Sequence, residues 1–362
     1  MSKNVPARGW GRALPCAALA SSALILAACG GGNAEDGTKT ATDAAPASGI
    51  ATTQATSDSR AWHTCVPEGS TCTFSGTRLI RYGADGSYTY LSATNGIACT
   101  NEAFGTDPAP GVAKSCWISS TPSPYKQDAT QYTLTFRDDF STGQLDTAKW
   151  NDHIWFEQSA RTEDYGVSNG MLRIWPQADA NGEFKSRILT TQNKFSQAYG
   201  YFEMEASLPV GRGVWPAFWL LNSDDPPNGE PELDIMEAYP GGATGYWGDD
   251  NQHPIAYQAS VWQKGNGGDI ADKGVTSQRD VHTGDLSAGF HKYALKWEPG
   301  RVSYYFDGEL VNTVEVSMTR KMYILVNMQY NCADCGQVDE TTPLGPDNAF
   351  RINYVRAWQL KP

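Results

Sequence analysis

Short runs of strand-like residues, cut by turn-forming pairs, recur through residues 131–362 of this chain. Asn169-Gly170 separates residues 165–167 from 171–175, and Asp307-Gly308 separates 302–306 from 310–316. Glu298-Pro299-Gly300 closes the run 293–297, and Gly200 opens the run 200–208. Asn, Asp and Gly tolerate the left-handed backbone of tight hairpins, so such pairs between strand-length runs predict antiparallel pairing. No long stretch with helical periodicity competes. The pattern predicts an all-β chain whose large domain, residues 131–362, is an antiparallel β-sandwich.

The N-terminus reads as an address. Lys3, Arg8 and Arg12 precede an apolar stretch, residues 13–28, too short to span a bilayer comfortably. It ends in Leu26-Ala27-Ala28-Cys29-Gly30. Small residues before a cysteine resemble the lipobox of bacterial lipoproteins. That implies a signal peptide over residues 1–28 and lipidation of Cys29. Gly30, where Asp would retain the protein at the inner membrane, implies the outer membrane or cell surface. The alternative is an ordinary signal peptide and a secreted protein. Residues 29–59 are Ala, Thr, Gly, Asp and Ser with little to bury, and read as a flexible tether.

Setting aside Cys16 and Cys29 leaves Cys65, Cys72, Cys99, Cys116, Cys332 and Cys335. An even number in an exported chain argues for disulfides. Four fall within residues 60–118, a segment too small for a generous core, so it reads as a β-rich module held by disulfides. Sequence proximity favours Cys65 with Cys72 and Cys99 with Cys116, one of three connectivities. Within the module, Asp85-Gly86 separates two strand runs. Trp62, Glu68-Gly69, Cys72, Arg81-Tyr82-Gly83, Phe104-Gly105 and Cys116 resemble a small module of secreted proteins that is often appended to carbohydrate-active enzymes. The resemblance implies an accessory sugar-binding role or a spacer. Residues 119–130, with Ser119-Ser120-Thr121-Pro122-Ser123-Pro124, read as a linker. Cys332-Ala333-Asp334-Cys335 sits in loop-like surroundings and reads as a local structural disulfide rather than a redox or metal site.

The chemistry lies in Glu232-Leu233-Asp234-Ile235-Met236-Glu237. On a strand Glu232 and Asp234 share one face, whereas Glu237 falls on the other. One extra residue in a β-bulge at Ile235-Met236 restores the parity and sets three carboxylates on one face. Such a cluster is electrostatically costly and suits a catalytic strand better than a structural one. Glycoside hydrolysis needs two carboxyl groups, one to attack or activate and one to protonate the leaving oxygen. The retaining form places them about 5–5.5 Å apart.

The surroundings of this hexapeptide resemble glycoside hydrolase family 16, the laminarinase-like branch with a bulged motif. The resemblance runs over residues 136–359. It rests on Asp138-Asp139-Phe140, Leu145-Asp146 and Trp150, then Ser186-Arg187-Ile188-Leu189-Thr190-Thr191 and Tyr199-Gly200-Tyr201-Phe202-Glu203. Gly213-Val214-Trp215-Pro216-Ala217-Phe218-Trp219, the acidic hexapeptide, Phe290-His291-Lys292-Tyr293 and Ile352-Asn353-Tyr354-Val355-Arg356 complete it.

The resemblance implies a jelly roll with a concave cleft and a retaining mechanism. Glu232 matches the nucleophile, Glu237 the acid/base and Asp234 the assisting carboxylate. Arg187, Trp215 and Trp219 match substrate-binding positions, and the loop bearing Tyr246 and Trp247 is expected to border the cleft. Many laminarinase-like members carry a His-Trp pair on the next strand, where this chain has Ser260-Val261-Trp262. Asn353 stands where many members carry Asp near a structural calcium, so calcium is left open. No cofactor is required, and the histidines offer no ligand spacing.

The formal net charge is -12. An acidic chain lacks the electrostatic footprint of a nucleic-acid or anionic-lipid binder. The expected partner is a neutral polysaccharide, of the β-1,3-glucan or bacterial exopolysaccharide kind. No nucleic acid is expected, membrane contact is through the lipid anchor alone, and the protein is read as a monomer. A retaining endo-β-glycanase is the first reading; a transglycosylase or a non-catalytic lectin on the same scaffold are the alternatives.

Overall fold

The computed structural model describes residues 61–155, 157–158, 164–223, 231–242, 256–262, 274–278, 285–332 and 335–361, with backbone alone at 157–158 and 274–278. The signal peptide, Cys29, the tether, Tyr246 and Trp247 lie outside the described residues.

The small module is a four-stranded antiparallel sheet in the order Trp62–Pro67, Ser115–Ser119, Thr77–Ala84, Ser87–Thr94. Asp85 and Gly86 both have positive φ, the conformation that a two-residue hairpin between twisted strands requires. Disulfides join Cys65 to Cys72 and Cys99 to Cys116. Ile80, Tyr82 and Phe104 pack around these cysteines in a core of few large side chains. The buried Lys114 ammonium pairs with Glu68 at 3.2 Å and Asp107 at 3.1 Å. A buried cation is tolerable only when paired in this way.

Residues 119–130 are a packed strap rather than a loose linker. Pro122, Pro124 and Ala129 are buried. Lys126 N–H donates to Thr77 Oγ1 at 2.7 Å, and Ala129 N–H to Ser92 Oγ at 2.8 Å, which ties the strap to the module. On its other side Pro122 O accepts from Trp358 Nε1 at 3.0 Å, and Tyr125 N–H donates to Glu203 Oε2 at 3.0 Å. A Ser/Pro-rich composition reads as a spacer, but proline also stiffens a backbone that has found acceptors for its remaining N–H groups.

The remainder is the expected sandwich. The larger sheet runs Tyr165–Ser168, Met171–Ile174, Phe350–Leu360, Gly200–Ser207, His291–Glu298, Arg301–Phe306, Glu309–Glu315, and Tyr132–Asp138 also pairs with Phe350–Leu360. The six-stranded sheet runs Arg187–Thr190, Met322–Tyr330, Val214–Asn222, Glu232–Glu237, Tyr257–Trp262, Gly274–Gln278. Phe202, Met204 and Leu295 from one sheet meet Phe218, Leu220, Leu233 and Val326 from the other in a single core. Because side chains alternate along each strand, filling this core sends the intervening residues of the six-stranded sheet to its outer face.

Candidate active site

The acidic strand Glu232–Glu237 lies inside the six-stranded sheet, between Val214–Asn222 and Tyr257–Trp262. Leu233 is fully buried in the core. Glu232 and Asp234 therefore belong to the outer face. Against Val214–Asn222, Asp234 pairs with Trp219 and Met236 with Phe218, which leaves Ile235 as the extra residue. Against Tyr257–Trp262, Asp234 pairs with Ser260 and Glu237 with Gln258, so Ile235 and Met236 together face Ala259. Both Ile235 and Met236 are buried. The bulge is where side-chain parity requires it, and it returns Glu237 to the face of Glu232 and Asp234.

Each acid has a different setting. Asp234 is 2% exposed, while Glu232 and Glu237 are half-buried and reach solvent. Trp262 Nε1 donates to Asp234 Oδ2 at 2.7 Å. Trp219, directly across from Asp234 on the other neighbouring strand, donates its own Nε1 to Asn327 Oδ1 at 2.6 Å. Two indole rings thus bracket the central carboxylate. Behind the acids, the Tyr304 hydroxyl donates to Ser260 O at 2.7 Å from within the core. Burial pushes the Tyr304 phenol well above its ordinary range, with the charges of Asp234 and Glu237 adding to the effect. Burial also raises Tyr323, which faces the Glu232 charge. Neutral phenols near the carboxylates, Tyr304 from the core and Tyr323 on the outer face, add no further negative charge to the site.

The strand Tyr257–Trp262 supplies Gln258, which the sequence did not single out, and gives Ser260 and Trp262 partners that the sequence did not assign. Trp262 pairs with Glu232, Ser260 with Asp234 and Gln258 with Glu237, so every acid has a cross-strand neighbour there. Gln258 is 5% exposed, and among the described residues its Oε1 has no hydrogen-bond partner. The signal available was Ser260-Val261-Trp262 itself, in which Trp262 alternates in step with Ser260.

Among the residues expected to hold substrate, Trp219 is beside the acids. Trp215 shares its face, half-buried, with its ring 5.5 Å from that of Tyr239 and close to the disulfide Cys332–Cys335. Arg187 differs from expectation. It alternates with Ile188, which packs on the outer face with Leu221, Tyr323 and Leu325. Arg187 is 3% exposed, donates Nε and a terminal nitrogen to Asp164 Oδ1 at 2.8 and 2.6 Å, and lies over the Tyr165 ring at 4.5 Å. A guanidinium held this way links the two sheets instead of meeting a sugar. The reason is parity: one residue along the strand reverses the face.

Among the described residues, no group of three His, Cys, Asp or Glu side chains gathers to hold a metal. Asn353 donates Nδ2 to Glu205 Oε2 at 3.0 Å, and Lys292 Nζ donates to Glu205 Oε1 at 2.6 Å. A carboxamide turned donor-first and a neighbouring ammonium do not suit calcium, which takes oxygen ligands. Nor is any helix among these residues long and apolar enough to cross a membrane.

Two half-buried carboxyl groups flanking a buried, hydrogen-bonded third can divide nucleophilic and acid/base work at one bond. The family model for glycosyl hydrolases family 16 matches residues 140–355. The endo-1,3-1,4-beta-glycanases EglC and ExsH of Rhizobium meliloti (strain 1021) are 29% identical over 269 residues and 30% over 270. Each alignment covers 64% of this chain and 53% of the relative, so the chain spans about half the length of these curated relatives. The beta-glucanase of Rhodothermus marinus is 32% identical over 202 residues, covering 50% of this chain and 65% of that protein. The laminarinase catalytic domain from Thermotoga maritima MSB8 superposes with a TM-score of 0.50 at 24% identity, covering 64% of this chain and all of that one, a likeness of fold alone. The strand order, the bulged acidic strand and the family match lead to one conclusion: this chain belongs to glycosyl hydrolases family 16.

Proposed function

We propose that the chain is a retaining endo-β-glycanase acting on a neutral polysaccharide, a β-1,3-glucan-like polymer or a bacterial exopolysaccharide. The observation that carries this reading is the bulge at Ile235-Met236, which sets Glu232, Asp234 and Glu237 on one face. Glu232 attacks the anomeric carbon while Glu237 gives its proton to the departing glycosidic oxygen, and a glycosyl ester on Glu232 results. Glu237, now a carboxylate, takes a proton from water, which displaces Glu232 and frees the sugar with its configuration retained. Asp234, held by the Trp262 indole, adds negative charge between the two and favours the protonated form of its neighbour before the first step. Trp215 and Trp219 offer ring faces to a pyranose.

The acidity of the chain supports a neutral rather than a polyanionic substrate. Release of reducing ends from a panel of β-glucans, galactans and exopolysaccharides tests the reading, with Glu232→Gln as the control. Viscosity falling faster than reducing ends appear identifies endo cleavage. No activity on any polymer refutes the hydrolase assignment at this site, and activity that survives Glu232→Gln refutes the nucleophile. Lipidation at Cys29 belongs to the same reading, as a means of holding the enzyme at the cell surface. Palmitate labelling that is lost in Cys29→Ser tests it.

A further inference from the structure

The small module carries a second constellation, far simpler than the acidic site. On its sheet, Arg81 pairs directly with Trp117 on one side and Tyr90 on the other. Trp62 and Tyr88 flank this row from neighbouring positions. The Arg81 guanidinium lies 4.7 Å from the Trp62 ring, 4.4 Å from Tyr88 and 5.0 Å from Trp117, and the Trp62 and Tyr90 rings are 5.9 Å apart. These side chains are on the face opposite Ile80 and Tyr82, which fill the disulfide core. All five are half-buried, so each keeps an edge in solvent, and Thr64 at the end of the row is exposed.

The cation in this cluster has no acidic partner among the described residues. Among the described residues no carboxylate or carbonyl accepts a hydrogen bond from Arg81. Its Nε is shut in beneath the rings without a partner. Arg187, Arg356 and Arg301, by contrast, pair with Asp164, Asp139 and Glu298. Cation–π contact orients the Arg81 fork and leaves its terminal nitrogens open to solvent or a ligand. Flat rings that can meet the C–H face of a pyranose, around planar donors aimed outward, match the chemistry of a sugar ring with its hydroxyl oxygens.

We propose that Trp62, Arg81, Tyr88, Tyr90 and Trp117 form a glycan-binding platform for a neutral polysaccharide, a second stretch of the polymer the acidic site cleaves. The inference rests on the reading of the enzyme as a polysaccharide hydrolase. The occupant follows from what is attached: the strap hydrogen-bonds to the module through Thr77 and Ser92 and to the sandwich through Trp358 and Glu203. A polymer seated on the rings is therefore held at a fixed offset from the site that cuts it, which raises its effective concentration there. The chain's net charge of -12 disfavours a polyanion as the occupant despite the unpaired arginine.

The test uses the full chain carrying Glu232→Gln, so that binding is read without hydrolysis. Affinity electrophoresis in gels containing neutral β-glucan, neutral galactan or a uronate-rich glycan compares this protein with versions that add Arg81→Gln, Trp62→Ala or Arg81→Lys. Retention by a neutral glycan should weaken about tenfold in the first two, the loss of one good polar or stacking contact. Arg81→Lys keeps the cation among the rings and guards against misfolding, yet should still weaken retention severalfold, because an ammonium lacks the planar fork. Thermal midpoints report the fold in every case. Equal retention in all the variants overturns the proposal, as does retention by the uronate-rich glycan alone. Reducing-end release by the unaltered enzyme is measured beside these gels, so failure of the glycanase reading is seen separately from failure of the platform.

Discussion

Trp262 donates its indole N–H to Asp234 across two paired strands, at 2.7 Å, while Trp219 stands opposite Asp234 on the other side. The central acid of the triplet is thus fixed in position by a residue 28 positions away. Trp262→Phe keeps an aromatic ring, though a smaller one, and removes the donor. A hydrogen bond to a charged group contributes about 1.5–3 kcal/mol. The substitution should lower kcat roughly tenfold or more and leave the melting temperature within a few degrees. Unchanged turnover would separate the indole from the chemistry.

Glu232→Gln should remove hydrolysis by at least about a thousandfold, since a carboxamide in the attacking position cannot form the glycosyl ester. Glu232→Ala opens space for a small anion. Azide should then restore cleavage and yield a glycosyl azide of inverted configuration, read by NMR of the product. A glycosyl azide of retained configuration would show that Glu232 is the acid/base and not the nucleophile.

Arg187 and Asp164 form a pair of which neither member is more than 3% exposed. Breaking one side of a buried pair costs about 3–5 kcal/mol, whereas replacing both with apolar groups costs far less. Arg187→Met and Asp164→Leu should each destabilise strongly in urea unfolding, and the double variant less than the sum of the two. A rise in KM with unchanged stability would return Arg187 to the sugar.

Glu203 is buried under the strap, where desolvation lifts its carboxyl above the ordinary value of 4.5, against the opposing donors of Tyr125 N–H and Tyr354 O–H. Between 4.5 and its raised value the folded protein holds a proton that the unfolded chain has released. Its contribution to stability is therefore full below about 4.5 and is lost as pH rises through the folded value. The slope of thermal midpoint against pH should be shallower in Glu203→Gln across that window. An identical slope would place the strap's pH response elsewhere.

Much of this was readable in advance, for local reasons. Asp85-Gly86 and Asp307-Gly308 have the positive φ values that their hairpins need. The bulge at Ile235-Met236 followed from counting parity between Glu232 and Glu237. What escaped was non-local. Gln258, Ser260 and Trp262 matter because of the residues they face, and that depends on the register of a partner strand. Arg187 was misplaced by one step of alternation, and residues 119–130 by a composition that suits a spacer and a packed strap alike.

By itself the sequence determined the two-residue periodicity, the turns and the identity of the three acids, because each depends on backbone preferences over a few residues. Only the tertiary structure decided that Trp262 holds Asp234, that Arg187 joins the sheets through Asp164, and that Arg81 lies among aromatic rings with no acidic partner among the described residues. Cross-strand partners are chosen by the burial of whole faces against one another. That collective choice is made when the sheets pack, and no short window of residues contains it.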